Sequence, residues 1–552
     1  MSHRRYDCLQ LWIASCGLAI VLLCVSVGCS DVSPTVSPTK PTVSPATTAA
    51  ETSGSKSIAA APQARQDAAD KQAFVTRMRP QVEAFCGDCH VMPKSENVDR
   101  EHWPREVAKG FEFYRISGRT DLHVPDVQEV TDYFVTLAPE KLVMPASIAG
   151  NPFSVVDFQP TPIHKSVGRS VAAQPPCISS LKWVDLDSNG RRSLVYCDLG
   201  TATLYKYQPD QKNSAPQTLA VLYQPVQFEL CDLNEDKRMD LLVADLGEFL
   251  PADSDLGRVV WLKRQETGEQ FESIVLQEGL GRVTDVKPGD FDSDGDTDIL
   301  VAEFGWRKTG RILMLENIGV DEQGQPKFDM RVIDERHGTI ETPVVDLNGD
   351  GHLDFVALIS QEFEIVEAFI NQGNGQFETQ TIWQADDPMY GSARIELADV
   401  DGDGDTDVVY ANGDSFDTGS KPYHSVQWLE NQGTFPFQHH HITFMPGVLA
   451  IKLADFDQDG DLDIVAGALV PERFDESLEA AGVESLILLE QVSSGEFKRT
   501  KIEVASNHHG AIEVGDFDDD GHIDIAVGNF LHFHPHLPSR QDFTLWMNQG
   551  KR

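Results

Sequence analysis

An acidic nonapeptide recurs seven times between Asp185 and Asp524, and no other feature of the chain narrows the possible folds as far. Its copies begin at Asp185, Asp232, Asp290, Asp346, Asp399, Asp455 and Asp516, so successive intervals are 47, 58, 56, 53, 56 and 61 residues. That period is one blade of a β-propeller, which predicts a seven-bladed all-β ring over residues 149–552. After most copies comes a short apolar run, such as Ile299–Ala302, Phe355–Leu358, Val408–Ala411 and Ile525–Val527, the mark of a strand buried on both faces. A second strand motif follows: VVWLK at Val259, LMLEN at Leu313, AFINQG at Ala368, VQWLENQG at Val426, LILLEQ at Leu486 and TLWMNQG at Thr544. Trp261, Trp428 and Trp546 are expected at one common place, filling the layer between blades. The chain stops at Arg552, directly after this strand in the seventh repeat, so the last blade is expected to lack an outer strand of its own. Phe153–Ile163, which has no blade of its own, is the expected donor, and its pairing would remove an exposed edge.

The nonapeptide has the chemistry of a hard-cation loop. Carboxylate or amide oxygens at positions 1, 3, 5 and 9, with a backbone carbonyl at position 7, can wrap one ion, and glycine at position 6 permits the sharp turn. The fullest copies supply Asp290, Asp292, Asp294 and Asp298; Asp399, Asp401, Asp403 and Asp407; Asp455, Asp457, Asp459 and Asp463; and Asp516, Asp518, Asp520 and Asp524. The fourth copy supplies Asp346, Asn348, Asp350 and Asp354. The second supplies Asp232, Asn234, Asp236 and Asp240 but has Lys237 in place of glycine, and the first supplies Asp185, Asp187 and Asn189 but ends on Ser193. Those two are expected to bind weakly or stay empty, so the ring should take about five to seven Ca2+ ions. Position 7 varies freely, from Arg191 to Asp296 to His352, as expected if only its carbonyl is used, while position 2 is apolar in all seven copies and should plug the space beneath the loop. An EF-hand would need a glutamate at position 12 and flanking helices, and the strand patterns argue against it. The repeats resemble the FG-GAP and VCBS repeats of integrin-like propellers over Cys177–Arg552, and metals that brace the blades are the expected role of these carboxylates rather than acid and base catalysis.

Ahead of the repeats, Cys86-Gly87-Asp88-Cys89-His90 matches the attachment signature of c-type cytochromes. Two thiols three residues apart reach the two vinyl groups of one porphyrin, and the adjacent histidine is placed to bind iron. The resemblance implies thioethers at Cys86 and Cys89 and a proximal ligand at His90, in a small all-α haem c domain over residues 69–148. A structural zinc site would need further Cys or His at matching spacing, and none is near. Val127, Val130, Phe134 and Leu137 recur at helical spacing between Pro125 and Pro139, which predicts the short amphipathic C-terminal helix of such a domain. Where the family carries a methionine before this helix as sixth ligand, the chain has none; His123, Met144 and an open position are the alternatives, and they imply different potentials.

The basic start MSHRRYD and the apolar run Leu9–Gly28 have the layout of an export signal over residues 1–28. Val27-Gly28-Cys29 resembles the processing site of bacterial lipoproteins, which implies a lipid on Cys29; ordinary secretion and an uncleaved anchor are the alternatives, and all three place the folded part outside the cytoplasm. Residues 29–68, rich in Ser, Thr, Pro and Ala, read as a disordered tether. Cys177, Cys197 and Cys231 leave room for one disulfide in an oxidising compartment, with the pair undetermined. The formal charge of −42 disfavours nucleic acid as a partner. Of the 87 acidic residues, 29 lie in the seven loops, where divalent cations would neutralise them.

If each acidic loop joins the two inner strands of a blade, the opposite face of the ring gathers Arg282, Arg307, His337, Tyr390, Arg394 and Asp414 with His508, His509, His532, His534 and His536, the weak candidates for catalysis. His439, His440 and His441 lie at the start of an outer strand and suggest less. The leading expectation is an electron-transfer protein that exchanges electrons with a redox partner protein or a small-molecule donor. A haem-linked dehydrogenase using the histidine-bearing face is a second expectation, and an adhesion or ligand-binding propeller with a redox-sensing haem is a third.

Overall fold

The computed structural model describes residues 62–145, 154, 156–164, 175–209, 215–266, 270–322, 324–416, 419–471, 482–504, 506–533 and 541–551. The signal, most of the tether, Cys29, Phe153, His534 and His536 lie outside them. Among the described residues, no helix is long and apolar enough to cross a membrane.

Three helices come first: α1 (Pro62–Cys86), α2 (Trp103–Ser117) and α3 (Val127–Leu137), with one turn of 3-10 helix at Ser95–Asn97. Helix α1 begins inside the stretch expected to be tether, because PQARQDAAD places proline in the first turn ahead of good helix formers. Helix α3 lies where the periodicity places it, and the Asp126 carboxylate caps it by accepting the N–H groups of Gln128 and Glu129. The shared core joins Val75, Met78 and Val82 of α1 to Trp103 and Val107 of α2 and Val130, Tyr133 and Phe134 of α3. Trp103 stacks on Phe134 with ring centroids 4.0 Å apart, and its indole N–H donates to the Ser95 carbonyl. Helix α2 meets α1 where Phe111 and Tyr114 pack on Phe85, and Arg77 of α1 pairs directly with Glu129 of α3.

The remainder is a ring of seven antiparallel sheets. In the third blade the strands run Val283–Gly289, Asp298–Glu303, Arg311–Val320 and Pro326–Asp334 from the axis outward, and the other blades repeat this meander. The expected second strands are buried along their whole length, Asp298–Glu303, Asp354–Ile359 and Asp524–Asn529 among them, because a blade has neighbours on both faces. The seventh blade is completed by Val156–His164, which pairs antiparallel with Gln541–Lys551, so the ring closes by the strand exchange expected of the segment before the repeats.

One expectation fails by a single residue. Trp261 and Trp428 sit at the same register position, opposite Leu242 and Val409, and each packs toward the following blade. Trp546 sits opposite Ile525, one residue off, so it faces the preceding blade and packs with Phe158 and Phe456. The cause is visible in the motif, since WLEN has two residues between the tryptophan and the asparagine where WMN has one, and a one-residue slip moves a side chain to the other face. Cys177, Cys197 and Cys231 are buried in three separate clusters, so no two of them pair in the disulfide that the composition allowed.

Candidate functional site

Each acidic loop joins the innermost strand of its blade to the second strand, so all seven lie on one face of the ring. The first carboxylate folds the loop: Asp185, Asp232, Asp290, Asp346, Asp399, Asp455 and Asp516 each accept the backbone N–H groups of positions 5 and 6 at 2.7–3.1 Å. The side chain at position 2 fills the space below, with Phe291, Phe456 and Phe517 fully buried. The last carboxylate is a buried hub. Asp298, Asp354, Asp407, Asp463 and Asp524 each accept the N–H of position 2 and an N–H of the third strand.

In four loops the carboxylate oxygens converge within 4.8 Å of one another, at Asp290, Asp292 and Asp294; Asp399, Asp401 and Asp407; Asp455, Asp457 and Asp463; and Asp516, Asp518 and Asp524. Burial, and after it the charge of neighbouring loop carboxylates, pushes Asp298 and Asp407 up to about 6 and Asp463 and Asp524 up to about 7. Buried carboxylate oxygens of Asp296, Asp457 and Asp461 meet no hydrogen-bond donor. An oxygen-only donor set with orphaned acceptors fits a hard divalent cation. The fourth loop, with Asn348 donating to Asp350, keeps the shape with less charge. The first two loops answer their charges from within: Lys206 and Arg264 reach Asp187, Arg238 pairs with Asp236, and the Trp261 indole donates to Asp240.

The axis holds a feature that attention to the loops missed. Three residues before each first aspartate stand Lys182, Glu229, Lys287, Pro343, Glu396, Lys452 and Glu513, an almost alternating ring of charge readable from the sequence once the loops are aligned. All of these but Glu229 line a cavity of about 270 Å3 together with Asp285, Glu341 and Arg394. Glu229 bridges Lys182 at 2.6 Å and Lys287 at 2.5 Å, Glu396 meets Lys452 at 2.6 Å, and Arg394 pairs with Glu341. Burial opposes ionisation of Glu229, but its two lysines overcome it and bring the carboxyl down to about 2. Arg394 therefore belongs to the channel and not to the face where it was expected.

On the face opposite the acidic loops the axis is stoppered by aromatic rings. Phe249, Phe416 and Phe533 come from loops of blades 2, 5 and 7, and Phe533 lies 6.0 Å from Phe249 and 5.0 Å from Phe416. His532 stands edge-on to Phe249 at 4.8 Å. His509 is buried against Glu503 at 2.7 Å, and His508 is held at the Ser506 carbonyl. The other candidates on this face also hold structure: Arg282 donates to the carbonyls of Glu248, Phe249 and Gly305, His337 pairs with Glu362, and Tyr390 donates to Gln427. Asp414 caps its own loop by accepting the Phe416 N–H. His439 and His440 stack on Trp383 and Trp428 along the outer strand Gln438–Phe444.

The helical domain is seated on this same face. Lys94 meets Asp386 at 2.5 Å, Asn97 donates to Asp387, Arg307 lies 3.4 Å over the Phe113 ring, and Met389 packs against the helical core. Met144, an alternative sixth ligand, packs instead against Val470 and Val483 of blade 6. Within the domain, Cys86 and Cys89 are free thiols at the end of α1, and burial pushes the Cys86 thiol up to about 12. His90 Nδ1 lies 2.7 Å from the Val91 carbonyl, so that nitrogen carries the proton and Nε2 is left as a lone-pair donor. Arg119 spans from Asp88, between the two cysteines, to Asp121, and the Tyr114 hydroxyl accepts the Leu122 N–H, so the stretch leading to His123 runs past the cysteine motif. His123 itself is exposed, as is Val124 beside it.

Residues 346–410, from the fourth acidic loop to the second strand of blade 5, match the family of FG-GAP-like repeats. Among solved structures the chain is similar to BBS1N in complex with ARL6DN, in crystals soaked with lead and with mercury. Each likeness has 12% identity and a TM-score of 0.41 and covers 72% of this chain and 97% of that one. No curated protein sequence gives a match.

Proposed function

We propose that this chain is an extracytoplasmic electron-transfer protein, in which a helical domain carrying one covalent haem c is fixed on a calcium-braced propeller that docks a redox partner. The observation that carries the reading is the pairing of two free thiols in Cys86-Gly87-Asp88-Cys89 with a His90 ring already held by its Nδ1 proton. When bound, the haem supplies one-electron exchange at its iron. Cys86 and Cys89 would hold the porphyrin through thioethers, and His90 would present Nε2 as the proximal ligand, its ring turned by the Val91 carbonyl. His123 is the favoured sixth ligand over Met144, because Met144 is already occupied with Val470 and Val483. Tyr114 and Arg119 position the chain that leads to it.

Four convergent loops, and the fourth blade's loop with less charge, would take Ca2+, which would stiffen the blades. The lipoprotein-like start of the sequence supports anchorage to a bacterial membrane through a lipid on Cys29. The docking surface reads as the ring and the exposed side of the helical domain rather than a catalytic pocket, since His508, His509, His337 and Tyr390 are each engaged in holding loops or strands.

The test is a pyridine haemochrome spectrum of purified, denatured protein. Absorbance retained covalently, and lost in Cys86→Ala/Cys89→Ala, is expected; a spectrum without it overturns the haem reading. Elemental analysis after exhaustive dialysis checks the second part, with bound calcium expected and its absence overturning the metal-braced ring.

A further inference from the structure

We infer that the loop of blade 1 is an ion site whose occupant is built into the chain, the Lys206 ammonium standing where other loops leave room for a divalent cation. In each blade the residue two beyond position 9 faces one residue of the third strand: Val195 faces Lys206, Leu242 faces Trp261, Leu300 faces Met314 and Val356 faces Ala368. In the last three blades the facing residues are Trp428, Leu488 and Leu545. Six of the seven are apolar and buried, as a strand between two blades requires.

Lys206 is the exception, and it is just as buried, with 5% of its surface exposed. An ammonium is costly to bury without a partner. Its partner is the acidic loop, since Nζ lies 2.5 Å from Asp187 Oδ2. A second cation arrives from blade 2: the Arg264 guanidinium donates to Asp187 and to the Leu186 carbonyl, while its backbone N–H donates to Asp240 in the next loop. This loop has two carboxylates, Asp185 and Asp187, because position 5 is Asn189 and position 9 is Ser193, and Lys206 and Arg264 both meet Asp187, beside the loop's own Arg191 and Arg192. The fullest loops have five carboxylates, such as Asp290, Asp292, Asp294, Asp296 and Asp298, with no such lysine. Blade 1, which lies beside the closing strand of blade 7, is thereby held by a cation that chelation cannot remove.

Only the contrast with the other loops rests on the calcium reading, and the experiment separates the two. Hydrogen–deuterium exchange of the full-length protein is followed with excess calcium and after chelation. Chelation is expected to speed exchange in residues 290–298, 399–407, 455–463 and 516–524 and to leave 185–193 unchanged. Acceleration of 185–193 in step with the others overturns the proposal. If no loop responds, the calcium reading fails, and the proposal is judged on Lys206→Met, which puts at this position the residue blade 3 has. That variant is expected to exchange about tenfold faster or more in 185–193, with or without calcium, and Asp187→Asn added to it is expected to restore most of the protection. Unchanged exchange of 185–193 in Lys206→Met overturns the proposal, and retained protection in the other blades shows that the ring still folds.

Discussion

The Asn548 side-chain amide donates one N–H to the Phe456 carbonyl of blade 6, 3.0 Å away, and the other to the Ile523 carbonyl of its own loop at 3.1 Å. Asn371 spans Phe291 and Leu353 in the same way, and Gln491 spans Val400 and Leu462. At these three positions the side-chain amide that follows the third strand is therefore a rivet between consecutive blades, set just behind the acidic loops. Asn548→Ala leaves two buried carbonyls unpaired and is expected to cost about 1–3 kcal/mol in chemical denaturation. Asn317→Ala, which gives up bonds to the Thr297 carbonyl and the Gly319 N–H of its own blade and none to the preceding blade, should cost less.

The axial ring makes a sharper demand. Lys287 lies between Glu229 and Asp285, so Lys287→Met would leave Asp285 without its lysine and Glu229 with Lys182 alone. A loss of about 3–5 kcal/mol is expected from breaking such a group on one side only. Glu229→Gln in the same chain should recover part of it, and thermal unfolding of the two variants measures the coupling.

A pH dependence follows from Glu364, which is buried with its carboxylate at the N–H and hydroxyl of Ser392, and which burial pushes up to about 8. A carboxyl raised in the folded state contributes stability that is complete below its ordinary pKa and is lost as the pH rises through about 8. Glu364→Gln should leave the unfolding free energy almost unchanged at pH 4 and raise it over the parent by an increasing margin from pH 6 to pH 9, on the order of a few kcal/mol at the upper end, measured by chemical denaturation. Equal pH profiles for the two proteins would count against the assignment.

The seating of the helical domain is open to the same treatment. Asp387 accepts from Asn97, and the buried Lys421 beside it sits among Asp99, Glu106 and Asp387. Asp387→Ala is expected to loosen the seat without unfolding either part. Limited proteolysis between α3 and the ring should speed up several-fold while the ring's melting temperature shifts by less than about 2 °C.

Much of this architecture is legible in one dimension because its determinants are local. A loop that must turn sharply and fold around its first carboxylate has to spell that out in nine residues, so the seven copies, their period and the missing outer strand could be counted along the chain. The Cys86-Gly87-Asp88-Cys89-His90 motif, on which the proposed haem attachment rests, is likewise confined to five residues.

What only the tertiary structure decided are meetings between residues far apart in sequence. The slip of Trp546 to the opposite face, the closure of the axis by Phe249, Phe416 and Phe533, and the seating of α2 and the 3-10 turn on blades 3 to 5 depend on where the ring brings distant loops together. So does the role of Lys206, an ordinary lysine in sequence that becomes the ion of its blade because the neighbouring strands bury it. Local turn chemistry can be written in a short run of residues, whereas burial and charge pairing belong to whatever the closed ring sets side by side.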